Sequence, residues 1–253
     1  MTGSLAIVGL GPGPARWLTP EASEALAQAG DIVGYAPYLA RLALREHQTA
    51  HASDNRVEGA RARHALALAQ AGRRVALVSG GDPGVFAMAA AVFEAVEAGD
   101  RAWRGLDIVV VPGISAMMAA AARLGAPLGH DFCAISLSDN LKPWSMVERR
   151  LAAAAEGDFV IALYNPASKA RPRGIFDAFA LLRAHKHGAT PVALARAVGR
   201  ADETIVLGTL ADVDLTRVDM STLVLVGSSE TRLVAREGGR PWLLTPRSYG
   251  GGR

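Results

Sequence analysis

One cysteine, Cys133, in 253 residues leaves no internal disulfide framework and no thiolate zinc cluster within a chain, and points to a reducing compartment, the cytoplasm. Lysine is almost as scarce, with Lys142, Lys169 and Lys186 standing against 24 arginines. Long apolar runs are missing too. The longest uncharged ones, 85–93 and 114–122, are about half the 18 or more residues a membrane span needs. The first basic residue, Arg16, follows the first apolar run, so 5–8 reads as a strand and not as the core of a signal peptide. Nor does any GxxxxGK[ST], GxSxG or HExxH motif occur, which removes the P-loop, the nucleophile elbow and the helical zinc site. His47 and His51 are four apart without the glutamate, and His185 and His187 at i, i+2 do not share a helix face. Each histidine is read as a surface or helix-end residue, and no metal site is expected.

What is present builds a folded chain. Half the residues are apolar, a fifth are charged, and the net charge is only +3, against the low-hydropathy, high-charge signature of disorder. The length fits one large domain or two modest ones. The pI of 9.3 raises nucleic acid as a partner, but the basic residues are scattered instead of forming a stripe, so none is expected. The excess of arginine over lysine has two readings: coding bias, or bidentate recognition of carboxylate or phosphate.

Short β-rich runs alternate with helical ones, the pattern of α/β layers. Strands are expected at 5–8, 32–35, 75–79 and 108–111, with helices at 20–29, 58–71 and 85–98, each closed by a glycine. The unalternating runs at 75–78 and 108–111 predict strands buried on both faces, hence an open, largely parallel sheet. A Gly/Pro corner at 112–113 marks a boundary, giving domains 1–112 and 113–253. Beyond it, a helix at 115–124 precedes strands at 132–137, 159–163, 192–194, 203–207, 223–226 and 242–244, with helices at 146–155 and 174–185. Several of these strands follow one another through turns alone, so the second sheet is expected to be mixed. The fold class is therefore two α/β halves with a cleft between them, and the last four residues, 250–253, are expected to fray.

Four turns stand at strand ends. Val8-Gly9-Leu10-Gly11-Pro12-Gly13-Pro14 departs from GxGxxG in its glycine spacing, and its prolines remove N–H donors a pyrophosphate needs. The acid of a dinucleotide site is also out of place, since Asp31 precedes its strand and Tyr35 ends it. Ser79-Gly80-Gly81-Asp82-Pro83-Gly84-Val85-Phe86 is a tight loop where ligands of open α/β sheets bind, although Asp82 has the alternative role of helix cap. In Val111-Pro112-Gly113-Ile114-Ser115-Ala116, Ser115 is a natural N-cap. A buried run ends in Leu163-Tyr164-Asn165-Pro166, a polar corner.

Taken in order, these turns and the strand Thr222-Leu223-Val224-Leu225-Val226-Gly227 resemble the tetrapyrrole (corrin/porphyrin) methylase family over essentially the whole chain. Gly34-Tyr35-Ala36-Pro37-Tyr38-Leu39, Ser136-Leu137-Ser138-Asp139-Asn140-Leu141-Lys142-Pro143-Trp144 and Ile161 through Lys169 narrow the resemblance to the ring-contracting branch that serves cobalamin synthesis. The resemblance implies a two-domain homodimer that binds S-adenosylmethionine between its halves and methylates a precorrin. It assigns Gly81, Asp82, Val85 and Phe86 to the cofactor loop and Ser115 and Ala116 to the next turn. Tyr164 and Asn165 fall at the interdomain corner, with Arg196, Ala197 and Gly199 on the C-terminal wall. Pro12 and Tyr35 fall on the macrocycle side. Arg45 and Arg171, beside the subgroup motifs, are expected to grip substrate carboxylates. Asp139 is a candidate for proton handling or substrate contact, with Tyr164 as the alternative and a helix cap near Pro143 as the structural one. The chain would alternatively methylate another tetrapyrrole position or uroporphyrinogen III, or bind S-adenosylmethionine or a tetrapyrrole without catalysis.

Overall fold

The computed structural model describes residues 3–55, 57–167 and 171–249; Ser168, Lys169 and the 250–253 end lie outside them. The chain divides into two compact units, Met1–Ala116 and Met117–Arg253. In the first, β1 (Ser4–Gly9), β2 (Asp31–Tyr35), β3 (Thr49–Ser53), β4 (Arg74–Ser79) and β5 (Asp107–Val111) form a sheet in the order β3-β2-β4-β1-β5, with every pairing parallel. The connections carry α1 (Pro20–Gln28), α2 (Ala36–Leu39), α3 (Glu58–Gln70) and α4 (Met88–Ala98). Alternate strand residues serve two cores. Leu5, Ile7, Val75 and Leu77 pack with Ala62, Leu66, Met88 and Val92 of α3 and α4. Val8, Ala76 and Val78 pack with Ala22 of α1 and Leu39 of α2. Helices on both faces are why these strands show no polar alternation.

Three expectations need correction here. Residues 108–111 are not buried on both faces: β5 is an edge strand paired only with β1, and Val109 and Val110 are 49% and 40% exposed. The helix after the Gly80–Gly81 loop begins at Met88, not at 85. Asp31 opens β2 instead of preceding it. Neither β3, whose Thr-Ala-His-Ala-Ser has no apolar run, nor the single turn of α2 was signalled.

His51, read as a surface residue, is instead the middle of a polar chain. Asp31 is buried, and its Oδ1 lies 2.8 Å from His51 Nε2 while its Oδ2 accepts from Arg73 Nε at 2.7 Å. His51 Nδ1 in turn sits 3.1 Å from His64 Nε2, so one ring donates to the other. Burial pushes the Asp31 carboxyl up, but the hydrogen bonds and charges of His51 and Arg73 outweigh it and leave it below its ordinary value. A lowered carboxyl contributes stability above the unfolded pKa of about 4, and loses it as the pH falls through the folded value. Asp31→Asn is therefore expected to lower the unfolding free energy at neutral pH, and the gap from the parent should close as denaturant melts are repeated below about pH 4. A gap that does not change with pH would remove the ionised carboxylate from the account.

The second unit opens within α5 (Ala116–Leu124). Its main sheet contains β7 (Phe132–Ser136), β8 (Val160–Tyr164), β9 (Pro191–Arg196), β10 (Thr204–Thr209) and β11 (Thr222–Val226) in the order β10-β9-β11-β8-β7. β7 and β8 are parallel and the other pairs antiparallel, so the sheet is mixed as expected. Because β8 and β9 both run against the β11 between them, β7, β8 and β9 point the same way and their carboxyl ends share one end of the sheet. Val147 and Leu151 of α6 (Trp144–Glu156) and Ile175, Phe179 and Leu182 of α7 (Gly174–His185) cover Ile161, Leu163, Val192, Leu194 and Val224. Half-buried Cys133 packs against this core, and burial pushes its thiol up, away from the reactive thiolate. A small second sheet, β12 (Arg232–Val234), β13 (Trp242–Leu244) and β6 (Gly125–Ala126), completes the unit. Of these only β13 was expected.

Candidate active site

In the first unit, the loops leaving β1, β4 and β5 interlock at the carboxyl ends of their strands. Gly11 and Gly81 exchange both backbone hydrogen bonds, each 3.1 Å, as an isolated antiparallel bridge. Both have left-handed φ, +63° and +69°, which glycine adopts without steric cost. Gly113 lies against them so closely that a Cβ there would run into the Gly81 carbonyl oxygen, and one on Gly9 would stand 2.6 Å from Gly113 N. Asp82 ties the assembly: Oδ1 accepts from Gly84 N at 2.8 Å and Oδ2 from Gly113 N at 3.0 Å. It does not cap α4, whose N-cap is Ala87 with no side-chain cap bond. Val85 and Phe86 stay in the loop, Phe86 with φ +52° and its side chain half exposed. Buried Ser115 immediately precedes α5, with Ala116 as that helix's first residue.

Pro12 lies in the opening loop, whose carbonyls are gathered by a residue sequence reasoning missed. Arg41 Nη2 is within 3.2, 3.1 and 2.9 Å of the carbonyl oxygens of Leu10, Gly11 and Gly13. The available signal was the loop itself, in which two prolines cannot donate and the carbonyls need a donor from elsewhere. Tyr35, at the carboxyl end of β2, meets Tyr38 edge-on at 5.4 Å, and the Tyr38 ring covers Gly80 so tightly that a Cβ would stand 2.7 Å from it. Arg45 is not brought to this end. It precedes β3, with Nη1 3.5 Å from the Ala27 carbonyl and its N–H on Gln48, at the amino ends of the strands.

In the second unit, the expected residues share the carboxyl end of β7, β8 and β9. Tyr164 Oη accepts from Met117 N at 3.1 Å. Asn165, with φ +52°, donates from Nδ2 to Oγ of buried Ser136 at 3.0 Å. Asp139 Oδ1 pairs with Arg171 Nε at 2.9 Å, and Arg171 Nη1 donates to the Leu137 carbonyl at 2.8 Å. Asp139 is thus no helix cap; Pro143 is the α6 N-cap, without a side-chain bond. Lys142, which was not singled out, donates from Nζ to the Ser136 carbonyl at 2.9 Å. Burial, then the charges of Arg150 and Arg171, push its ammonium pKa down against the opposing pull of Asp139. Arg196 ends β9 with Nε on Asp219 at 2.7 Å and Nη1 on Asp202 at 2.9 Å. These bonds hold it further in its charged form. Ala197 and Gly199 follow in left-handed φ, +50° and +84°, and Gly199 N donates to Glu203 at 2.6 Å.

A profile of the Tetrapyrrole (Corrin/Porphyrin) Methylases matches residues 4–214. The chain belongs to this family. It is 57% identical over 251 residues, 99% of each chain, to a Sinorhizobium sp protein named precorrin-3B C(17)-methyltransferase. It is 43% identical over 97% of its own length to a Salmonella typhimurium protein named probable cobalt-factor III C(17)-methyltransferase, covering 99% of that protein. Among solved structures, that of the methyltransferase CobJ superposes with a TM-score of 0.92 at 52% identity, covering 96% of this chain and all of that one.

Within this methylase, a few residues other than glycine hold left-handed φ. Among the described residues they are Phe86, Asp158, Asn165 and Ala197. Such φ values are strained for side chains with a Cβ and gather at ligand sites, and three of the four are residues the family resemblance assigns to the cofactor. The fourth has a structural reason: Asp158 accepts from Lys186 Nζ, Ser229 and the Tyr249 hydroxyl, pinning the segment after β13 to the start of β8.

Proposed function

We propose that the chain is an S-adenosylmethionine-dependent methyltransferase that methylates C17 of precorrin-3B and contracts the ring to give precorrin-4. The observation that carries the substrate is the 57% identity across 99% of both chains with the Sinorhizobium enzyme of that name. The first unit fits the cofactor. Three loops cross with no side chain between Gly9, Gly81 and Gly113, Phe86 later in the Gly80–Gly81 loop holds a half-exposed ring, and Asp82 uses one bond on each oxygen of the roughly four lone-pair sites a carboxylate offers. When bound, S-adenosylmethionine supplies an electrophilic methyl group and leaves as S-adenosylhomocysteine.

Positioning is the chain's main contribution, because holding two reactants in attack geometry removes much of the barrier of a bimolecular transfer. The interlocked turns of the first unit fix backbone groups for the cofactor at Gly81, Asp82, Val85, Phe86, Ser115 and Ala116; Tyr164, Asn165, Arg196, Ala197 and Gly199 are the second unit's residues that the family resemblance assigns to it. Pro12, Tyr35, Asp139 and Arg171 serve the macrocycle. Ring contraction requires the C20 hydroxyl to lose its proton as a ring bond migrates and an acetyl group forms. Asp139, oriented by Arg171, is the proposed acceptor, and Tyr164, oriented by Met117 N–H, the alternative. Arg45, at the amino ends of the first unit's strands, lies away from the loops that serve the cofactor.

Incubation with precorrin-3B and S-adenosylmethionine is expected to give a product one methyl heavier that bears an acetyl group. Turnover of another tetrapyrrole but not of precorrin-3B would overturn the reading. The Salmonella relative's name raises a cobalt-bearing substrate as a second reading, decided by presenting both substrates in competition.

The exposed Val109 and Val110 on edge strand β5 support assembly as a homodimer, checked by the molecular mass in solution. Among the described residues no helix is long and apolar enough to cross a membrane, and no cluster of three or more acidic, histidine or cysteine side chains is suited to a metal ion. The scarcity of cysteine supports a cytoplasmic setting.

A further inference from the structure

Arg61 is the one arginine among the buried described residues, 6% exposed, and it is held without a counter-charge. Its Nε donates to Ser53 Oγ at 2.7 Å and its Nη2 to the Asp54 carbonyl at 2.6 Å, while Nη1 reaches only the Met88 thioether at 3.4 Å. No carboxylate among the described residues pairs with it. Two other enclosed cations among the described residues are treated differently: Lys186 rests on Asp158 and Arg171 on Asp139. A buried charge without a partner is costly, and an anion received beside it would offset that cost.

The position of Arg61 says which anion. It lies in the first turn of α3, at the carboxyl ends of β2 and β3, where Tyr35 and Ser53 are register partners. Its guanidinium stands 6.0 Å from the Tyr35 ring centroid, and Met88 opens the helix after the Gly80–Gly81 loop. Arg61 is therefore at the ligand-binding end of the sheet, whereas Arg45 is at the other. Of the five guanidinium N–H donors, one on each Nη has no partner among the described residues, and these are the donors open to a carboxylate.

We propose that Arg61 receives one of the substrate's acetate or propionate carboxylates, with the Tyr35 ring as the wall of the seat. The proposal rests on the tetrapyrrole reading above. A carboxylate here neutralises the buried guanidinium and replaces the weak thioether contact, so substrate affinity is drawn from a charge left unpaired in the free protein.

The test is equilibrium binding of precorrin-3B to protein free of S-adenosylmethionine, followed by quenching of tryptophan fluorescence, for the parent, Arg61→Lys and Arg61→Gln. Thermal melts of each variant check folding. Arg61→Gln is expected to raise Kd on the order of tenfold to a hundredfold, as loss of a charge-assisted hydrogen bond implies. Arg61→Lys, which keeps the charge without the guanidinium donors, should fall between. Calorimetric affinity for S-adenosylmethionine should stay at the parent value in both. If Arg61 only ties the loop after β3, the variants will melt earlier yet bind precorrin-3B as the parent does, which overturns the proposal and leaves the function standing. A parent protein that does not bind precorrin-3B overturns both. If Arg61→Gln fails to fold, the lysine variant decides: an unchanged Kd rejects the seat.

Discussion

Gly113→Ala is expected to abolish measurable S-adenosylmethionine binding, with a loss of at least about a hundredfold in Kd, equivalent to roughly 3 kcal/mol. The new Cβ would collide with the Gly81 carbonyl oxygen and stand 2.9 Å from Gly9 Cα. Both are backbone, so neither can yield by a rotamer change. Relief requires the β5 loop to move away from the other two, which breaks the Gly113 N–H bond to Asp82 and disturbs the Gly11–Gly81 bridge. The same displacement should lower thermal stability. Gly30→Ala is the control, because it lies in the same unit and a Cβ there meets nothing within 4 Å; it should bind S-adenosylmethionine as the parent does. Calorimetric titration of both variants, with melts to confirm folding, reads the difference. A Gly113→Ala protein with parental affinity would show that the interlock does not build the cofactor site.

Glycine spacing exposed that interlock only in part. The sequence shows Gly9, Gly11, Gly81 and Gly113 as turn residues, but a bridge between Gly11 and Gly81 is a contact across 70 positions, and local propensity carries no record of it. Apolar runs located the strands for the same reason they fold: Val75 to Val78 face helices on both sides. The run at 108–111 misled because apolar content does not distinguish a central strand from an edge, and β5 is an edge. β3 was invisible because an edge strand with a half-solvated face needs no hydrophobic pattern. The turns of the candidate site were legible where backbone chemistry dominates, in glycines, prolines and Asn165. Long side chains were harder to place. Arg41, Arg61 and Lys142 act through reach and not through position in a motif, and Arg45 stood beside a motif yet folds to the opposite end of its sheet.

Arg171 and Arg45 can therefore be separated experimentally. Arg171→Ala is expected to raise the KM for precorrin-3B on the order of tenfold to a hundredfold and leave S-adenosylmethionine affinity unchanged, whereas Arg45→Ala should alter neither. Arg171 is largely enclosed, its side chain 14% exposed, and only its Nε and Nη1 have described partners. It shares its surroundings with Lys142 and Arg150, whose mutual repulsion adds to burial in depressing the Lys142 ammonium while Asp139 opposes both. A substrate carboxylate entering here relieves that repulsion, so binding should be accompanied by proton uptake at alkaline pH as Lys142 regains its charge. Asp139→Asn resolves what the carboxylate does. If it only orients Arg171, the variant will share the KM defect of Arg171→Ala at parental kcat. If it accepts the C20 hydroxyl proton, kcat will fall with KM near the parent's, and the acid limb of the kcat–pH profile will disappear. An Arg171→Ala enzyme with parental KM would return the arginine excess to coding bias at this position.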